Sequence, residues 1–204
     1  MIVADISNYT GVLQRQTTDD LWCMGVRHLI AGTQVPSVTN QQLHAWLGVS
    51  PDQNPDIYVI PDNNSADGYW DVLAGAAKYA TEDLLFFFKT GTTGRVWLDL
   101  EADPGNGDGI LWINHGIKAL RKVGFKRFGI YTRKSWWETH TGNVQSLFTA
   151  LPLWYSHPDD CQTLTPVEWR RDGFGGWWKP KYKQYAFNTQ VNNQVIDLSV
   201  SPTQ

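Results

Sequence analysis

The sequence predicts an α/β fold: a mostly parallel sheet of about eight strands closed into a barrel, with the last strands lacking helices. Three observations carry this. Strand-like and helix-like segments alternate through most of the chain, which places parallel strands inside and helices outside. The closing segments, 181–187 and 194–200, are strand-like with no helical pattern between them. Acidic residues recur where strands end, and closed barrels of this type place their sites at those ends.

Residues 2–7 read as the first strand, with Asp5 near its C-terminal end, and 8–11 as a loop. Thr17-Thr18-Asp19-Asp20 caps a short helix running to about Met24. Residues 26–31 form the second strand, ending at Gly32. Residues 38–47 are helical, with Thr39 or Asn40 as cap and Gly48 as stop. Residues 55–60 are the third strand, closed by Pro61 and a polar loop over 62–67. Residues 69–80 carry Trp70, Leu73, Ala74 and Ala77 at helical spacing. Residues 84–88 read as the end of that helical layer.

The fourth strand is the run Val96-Trp97-Leu98-Asp99-Leu100-Glu101-Ala102-Asp103. Period-two alternation puts Asp99, Glu101 and Asp103 on one face, and Asp103 is also placed to cap the turn at Pro104-Gly105. Asp108 then caps an amphipathic helix whose apolar stripe is Ile110, Leu111, Ile113, Ile117, Leu120 and Val123, stopped by Gly124. Residues 127–131 are the fifth strand, 135–139 and 144–150 are helical, and 151–156 are the sixth strand. A long polar loop spans 157–176. The last two strands form a hairpin turned at Asn192-Asn193.

Composition narrows the function. The chain has 204 residues, 42% of them hydrophobic, enough for one domain with a full core. A net charge of −3 gives no global field for nucleic acid or anionic membrane, and no apolar run reaches spanning length. Eleven Trp suit either broad sugar-contacting surfaces or an aromatic-rich core. Cys23 and Cys161 are two thiols or one bridge, and neither has metal-ligand spacing. The five His show no metal spacing and are read as structural. No metal or cofactor is expected. The start of the chain lacks a basic region and a long apolar region, so no signal peptide is expected.

Candidate site residues follow from the strand ends. Asp5 ends the first strand; Tyr58 lies in the third; Asp99 and Glu101 end the fourth; Tyr131 ends the fifth. Trp154 lies in the sixth, Gln184 in the seventh and Asp197 in the eighth. If the barrel closes, acids from three strands converge on one mouth ringed by aromatics. Carboxylates buried together repel, and one pKa rises above its neighbour's. A protonated acid beside an ionised carboxylate is what glycosidic bond cleavage needs.

The chain resembles the family 25 glycoside hydrolases, the lysozymes or N-acetylmuramidases common in phages and bacteria. The resemblance rests on Asp5-Ile6-Ser7, Leu98-Asp99-Leu100-Glu101, Gly129-Ile130-Tyr131-Thr132, Leu151-Pro152-Leu153-Trp154-Tyr155, Gln184-Tyr185 and Val195-Ile196-Asp197-Leu198. These stand in the family's order across nearly the whole chain. It implies a flattened TIM-like barrel and retaining cleavage of the β-1,4 bond between N-acetylmuramic acid and N-acetylglucosamine in peptidoglycan. Glu101 would be the general acid. Asp99 would stabilise charge at the anomeric centre or orient the substrate's N-acetyl group. Asp5 and Asp197 would shape the acidic floor, and Tyr58, Tyr131, Trp154 and Gln184 would contact substrate. The chain departs from the family in lacking a His on the third strand, where Ile57-Tyr58-Val59-Ile60-Pro61 stands, and in the segment 157–176 with its neighbours Trp177 and Trp178.

The expectation is one muramidase domain acting as a monomer on peptidoglycan glycan strands, phage-lysin-like, with no nucleic-acid or membrane partner. Two alternatives stand beside it: a barrel that binds glycans without cutting, such as a phage structural or attachment module, and a glycosidase of different sugar specificity. A nucleotidase reading of the acidic strand needs a Gly-x-x-x-x-Gly-Lys-Ser/Thr loop. Gly91-Thr92-Thr93-Gly94-Arg95 lacks the lysine, which excludes it.

Overall fold

A computed structural model of the chain describes residues 1–7, 10–50, 55–61, 69–84, 94–105 and 107–202. Eight strands run in chain order around a closed barrel: β1 (Ile2–Ile6), β2 (Val26–Gly32), β3 (Asp56–Val59), β4 (Val96–Asp99), β5 (Phe128–Thr132), β6 (Leu153–Ser156), β7 (Tyr182–Val191) and β8 (Gln194–Val200). β1 to β7 pair in parallel, and β8 is antiparallel to both β7 and β1, closing the circle. The fold is a TIM-like α/β barrel.

Six described helices cover the wall: α1 (Arg15–Cys23), α2 (Pro36–Val49), α3 (Tyr69–Ala80), α4 (Gly109–Lys122), α5 (Lys134–Thr141) and α6 (Pro166–Asp172). No described helix is long and apolar enough to cross a membrane.

Two apolar layers result from strand alternation. Outward-facing residues such as Leu29, Ile57, Leu98 and Ile130 pack under the helices. Inward-facing Val3, Ile30, Tyr58, Trp97, Tyr131, Trp154 and Tyr182 fill the barrel. Space for Trp97 is made on β5: a Cβ on Gly129 would lie 2.4 Å from the Trp97 ring. Below this layer Asp56 accepts from the Trp97 indole (2.9 Å) and the Arg95 backbone N–H (2.7 Å). The ring of His28 comes within ion-pair distance of the same carboxylate (3.1 Å) but without hydrogen-bond geometry.

The tryptophans build the core. Nine of eleven are buried, Trp22 is half-buried, and Trp178 is 86% exposed. Trp70, Trp112 and Trp136 form a ladder across α3, α4 and α5, with ring centroids 5.3 and 6.0 Å apart.

The helix over 69–80 and the turn at Asn192-Asn193 stand as expected, the two Asn at φ 47° and 62°. Several expectations are corrected. α1 starts at Arg15, before Thr17. α2 starts at Pro36, a residue whose fixed φ and missing N–H suit a first helical position. Thr39 and Asn40 therefore lie inside α2, where Thr39 Oγ1 donates to the Gly32 carbonyl (2.6 Å) and Asn40 to Ala80 O (3.2 Å). Gly48 is also inside α2. On α4, Leu111 faces solvent and Trp112 takes the buried position. β4 ends at Asp99, earlier than the run 96–103.

Residues 144–150 are not helical. Asn143 adopts φ 57°, the Trp137 indole donates to Val144 O (3.2 Å), and a Cβ on Gly176 would lie 1.9 Å from Gln145 O. The segment thus packs against Gly176, with the Val144 carbonyl taken by Trp137. Within the expected loop 157–176 stands α6, begun by a capping box between Thr165 and Glu168 with Pro166 at its first turn. The expectations for 8–9, 62–67 and 85–88 lie outside the described residues.

Candidate active site

The first and last strands meet at the mouth. Asp5 on β1 is the register partner of Asp197 on β8, so the two acids stand directly across an antiparallel pair. Like charges so placed are destabilising. Asp99 ends β4 opposite Tyr131 of β5. One residue on, Leu100 is fixed twice to β5: its N–H donates to Tyr131 O (2.9 Å), and Thr132 Oγ1 donates to its carbonyl (3.1 Å). The Trp136 indole then holds Ala102 O (2.7 Å). Glu101 is therefore launched from a stretch pinned on both sides.

Gln184 of β7 joins the set. Its Nε2 donates to Asp5 Oδ2 (3.1 Å) and Asp197 Oδ2 (3.3 Å), and its Oε1 accepts from Tyr131 OH (2.5 Å). Ser156 at the end of β6 donates to Glu101 Oε1 (3.3 Å). Asn188 N–H donates to Asp197 Oδ1 (2.7 Å). Asp5, Asp99, Glu101, Asp197, Tyr131 and Gln184 are thus brought together at one end of the barrel.

Tyr58 and Trp154 lie against this cluster from inside the barrel. Trp154 is fully buried, its ring 4.4 Å from that of Tyr131, and its indole donates to Ser199 Oγ (2.9 Å). Tyr58 is buried with its ring edge-on to Trp154 at 6.4 Å. Gln184 is buried as well. Asp103 is not in the cluster; it accepts from Gly105 N–H (2.9 Å) at its own turn.

Electrostatics favour protons in this mouth. Burial pushes Asp5 well above the usual carboxylate range, helped by Asp197 and Glu101. Burial likewise raises Asp99 strongly, with Glu101 and Asp5 adding repulsion. Glu101 is raised by burial, and then pulled back by the Arg133 guanidinium and by hydrogen bonds from Ser156 and Tyr131. Burial also raises Asp197, opposed by the Asn188 N–H. The Oδ1 atoms of Asp5 and Asp99 are buried with no hydrogen-bond partner among the described residues.

Ser156, Arg133 and Asn188 were not singled out from sequence. Alternation from Trp154 points to Ser156, and Arg133 directly follows a strand end. Asn188 reaches Asp197 only because a left-handed residue (φ 55°) breaks the β7–β8 register, and no local sequence signal marks that. Among the described residues, no group of three or more His, Cys, Asp or Glu could hold a metal ion.

Clustered carboxylates at the strand ends of a closed β/α barrel are the arrangement of a glycosidase. Residues 53–185 match the family model described as lysozyme-like protein 1, and the chain belongs to this lysozyme family, the family 25 glycoside hydrolases. Two relatives from Dictyostelium discoideum are similar. Counting factor 50 is 29% identical over 107 residues, 50% of this chain and 34% of its own. Probable GH family 25 lysozyme 5 is 31% identical over 112 residues, 50% of this chain and 47% of its own. The matches thus span less than half the length of these relatives. Among solved structures, the muramidase from Acremonium alcalophilum superposes with a TM-score of 0.69 at 16% identity, covering 100% of this chain and 94% of that one.

Proposed function

We propose that this chain is a peptidoglycan hydrolase of the muramidase type, cleaving the β-1,4 bond between N-acetylmuramic acid and N-acetylglucosamine with retention. The observation that carries the reading is the pair of buried, unpartnered carboxylate oxygens on Asp5 and Asp99 beside Glu101. Such atoms are destabilising unless a ligand or a reaction uses them.

Accessibility assigns the roles. Glu101 is partly exposed at the mouth, whereas Asp99 is buried beside it. Glu101 protonates the leaving oxygen, and burial raises its pKa, the direction a general acid needs. Asp99 stabilises the positive charge that develops at the anomeric carbon, or orients the substrate's N-acetyl oxygen to attack it. Asp5 and Asp197 hold the proton affinity of the pair high. Gln184 fixes both of them through one amide, while Tyr58 and Tyr131, each with a small exposed edge, floor the mouth beneath the sugar and the buried Trp154 backs them. A glycan-binding barrel that does not cut would have no need of four carboxylates whose mutual repulsion weakens the fold.

The test is digestion of purified peptidoglycan by wild type and Glu101→Gln, with new reducing ends identified by mass. Wild-type release of muramic-acid reducing ends, lost by at least about a thousandfold in Glu101→Gln, is expected for removal of a general acid in a paired mechanism. Full activity in Glu101→Gln removes it as the acid. Binding without cleavage by both proteins favours the non-catalytic reading.

A further inference from the structure

A cavity of about 430 Å³ opens on the outer wall between α6 and the segment leading into β7. Trp169, Trp178, Pro166 and Pro180 supply its apolar faces, and Arg170 and Lys179 its charge. None of the acids of the mouth lines it, and it contains no carboxylate.

Its two tryptophans differ. Trp169 is buried, with its indole tied to Trp177 O (3.0 Å), and forms the wall. Trp178 is 86% exposed, the one Trp given up to water in a molecule that buries nearly all the others. A large exposed apolar ring beside a cavity marks a contact surface, and an indole offers a flat face for a sugar ring.

The cations are uncommitted. Arg170 and Lys179 are exposed, and neither is ion-paired among the described residues; Arg170 donates only to the Pro166 carbonyl of its own helix (3.2 Å). Other carboxylates on α6 are engaged: Glu168 in the capping box with Thr165, and Asp172 with Arg171 (2.7 Å). Lys181, two residues beyond Lys179, stands within electrostatic reach of Arg95 and Arg127 at the strand-start end of the barrel. The acid that acts on Lys181, Asp56, is buried and bound to Trp97 and Arg95. Positive charge therefore collects near this cavity and negative charge at the mouth.

We propose that this cavity is a second binding site for peptidoglycan, separate from the mouth, where Trp178 stacks on a sugar ring and Arg170 and Lys179 pair with carboxylates of the strand. The inference rests on the muramidase reading and adds to it. A cationic aromatic anchor elsewhere on the same protein attracts a strand bearing carboxylates and raises the local concentration of cleavable bonds.

The test uses Glu101→Gln protein, so that binding is read without cleavage, and peptidoglycan stripped of phosphate-containing wall polymers. Retention on the pelleted material is compared with and without Trp178→Ala or the pair Arg170→Glu and Lys179→Glu. Trp178 is exposed, so its removal leaves the fold intact, checked by an unchanged melting curve. Weakening of about tenfold is expected from loss of one stacked ring. With Glu101 restored, Trp178→Ala should digest insoluble sacculi more slowly yet turn over a short soluble glycan at the wild-type rate. Equal retention by all variants overturns the proposal, and so does retention seen only on walls that keep their phosphate polymers. If the wild type fails to cleave but Trp178→Ala still loses retention, the muramidase reading fails and the site stands. No retention by the parent protein overturns the site, whatever the cleavage assay shows.

Discussion

Asp99 is held in a position that disfavours its charge, and that has a measurable sign. Its folded-state pKa lies well above the unfolded value because burial, Glu101 and Asp5 all penalise the anion. A group raised in this way stabilises the fold fully below its unfolded pKa and loses that contribution as pH rises through the folded one. At neutral pH the carboxylate is a liability that Asn removes while keeping the shape. Asp99→Asn is therefore expected to raise the melting temperature at pH 7, by roughly 2–4 °C for each ~1 kcal/mol relieved. The gain should fade below the ordinary aspartate range, and activity should fall nearly as far as in Glu101→Gln. Melting curves at pH 7 and at acid pH, beside the digestion assay, decide it. A melting temperature that drops at pH 7 contradicts a carboxylate held there for chemistry.

At the scale of elements, α6 is the instructive case. Thr165, Pro166 and Glu168 form a helix start whose two reciprocal bonds, Thr165 N–H to Glu168 Oε2 (2.6 Å) and Glu168 N–H to Thr165 Oγ1 (3.2 Å), need no partner outside the segment. Thr165→Ala is expected to destabilise by about 1 kcal/mol, the usual loss for an N-cap. An unchanged melting temperature would mean that Trp169 packing alone holds the helix. The signal was present in the sequence and was masked by the polar residues around it. Elements with uninterrupted periodicity, such as α3 with Trp70, Leu73, Ala74 and Ala77, were legible to their ends. So were Asp5, Asp99, Asp197 and Gln184, which strand alternation aims into the barrel, whereas Glu101 stands two residues past the end of β4 and is set by the bonds that hold Leu100 and Ala102. What was not legible depends on distant partners. Residues 144–150 are apolar enough for a helix, but the Trp137 indole takes the Val144 carbonyl, and the Gly176 backbone packs against Gln145. Leu111 and Trp112 are adjacent on α4, and only the presence of Trp70 and Trp136 decides which of them is buried.

At the scale of the whole molecule, charge is sorted by end. Asp5, Asp99, Glu101 and Asp197 share the mouth, while Lys181, Arg95 and Arg127 gather at the opposite end and Lys179 stands two residues from Lys181. Salt acts on exposed charges far more than on buried ones. Retention of Glu101→Gln protein on peptidoglycan is therefore expected to fall as ionic strength rises from about 0.01 M to about 1 M, over which the screening length shrinks from about 30 Å to about 3 Å. Salt-independent retention would assign attachment to stacking alone. The pairing of β1 with β8 has a further consequence, for closure of the barrel. Asp5 stands on the first strand of the barrel and Asp197 on the eighth, and each faces the other across the seam. Until β8 is in place, the sheet has two open edges and half an acid floor. A chain without β8 can neither close its barrel nor assemble the mouth.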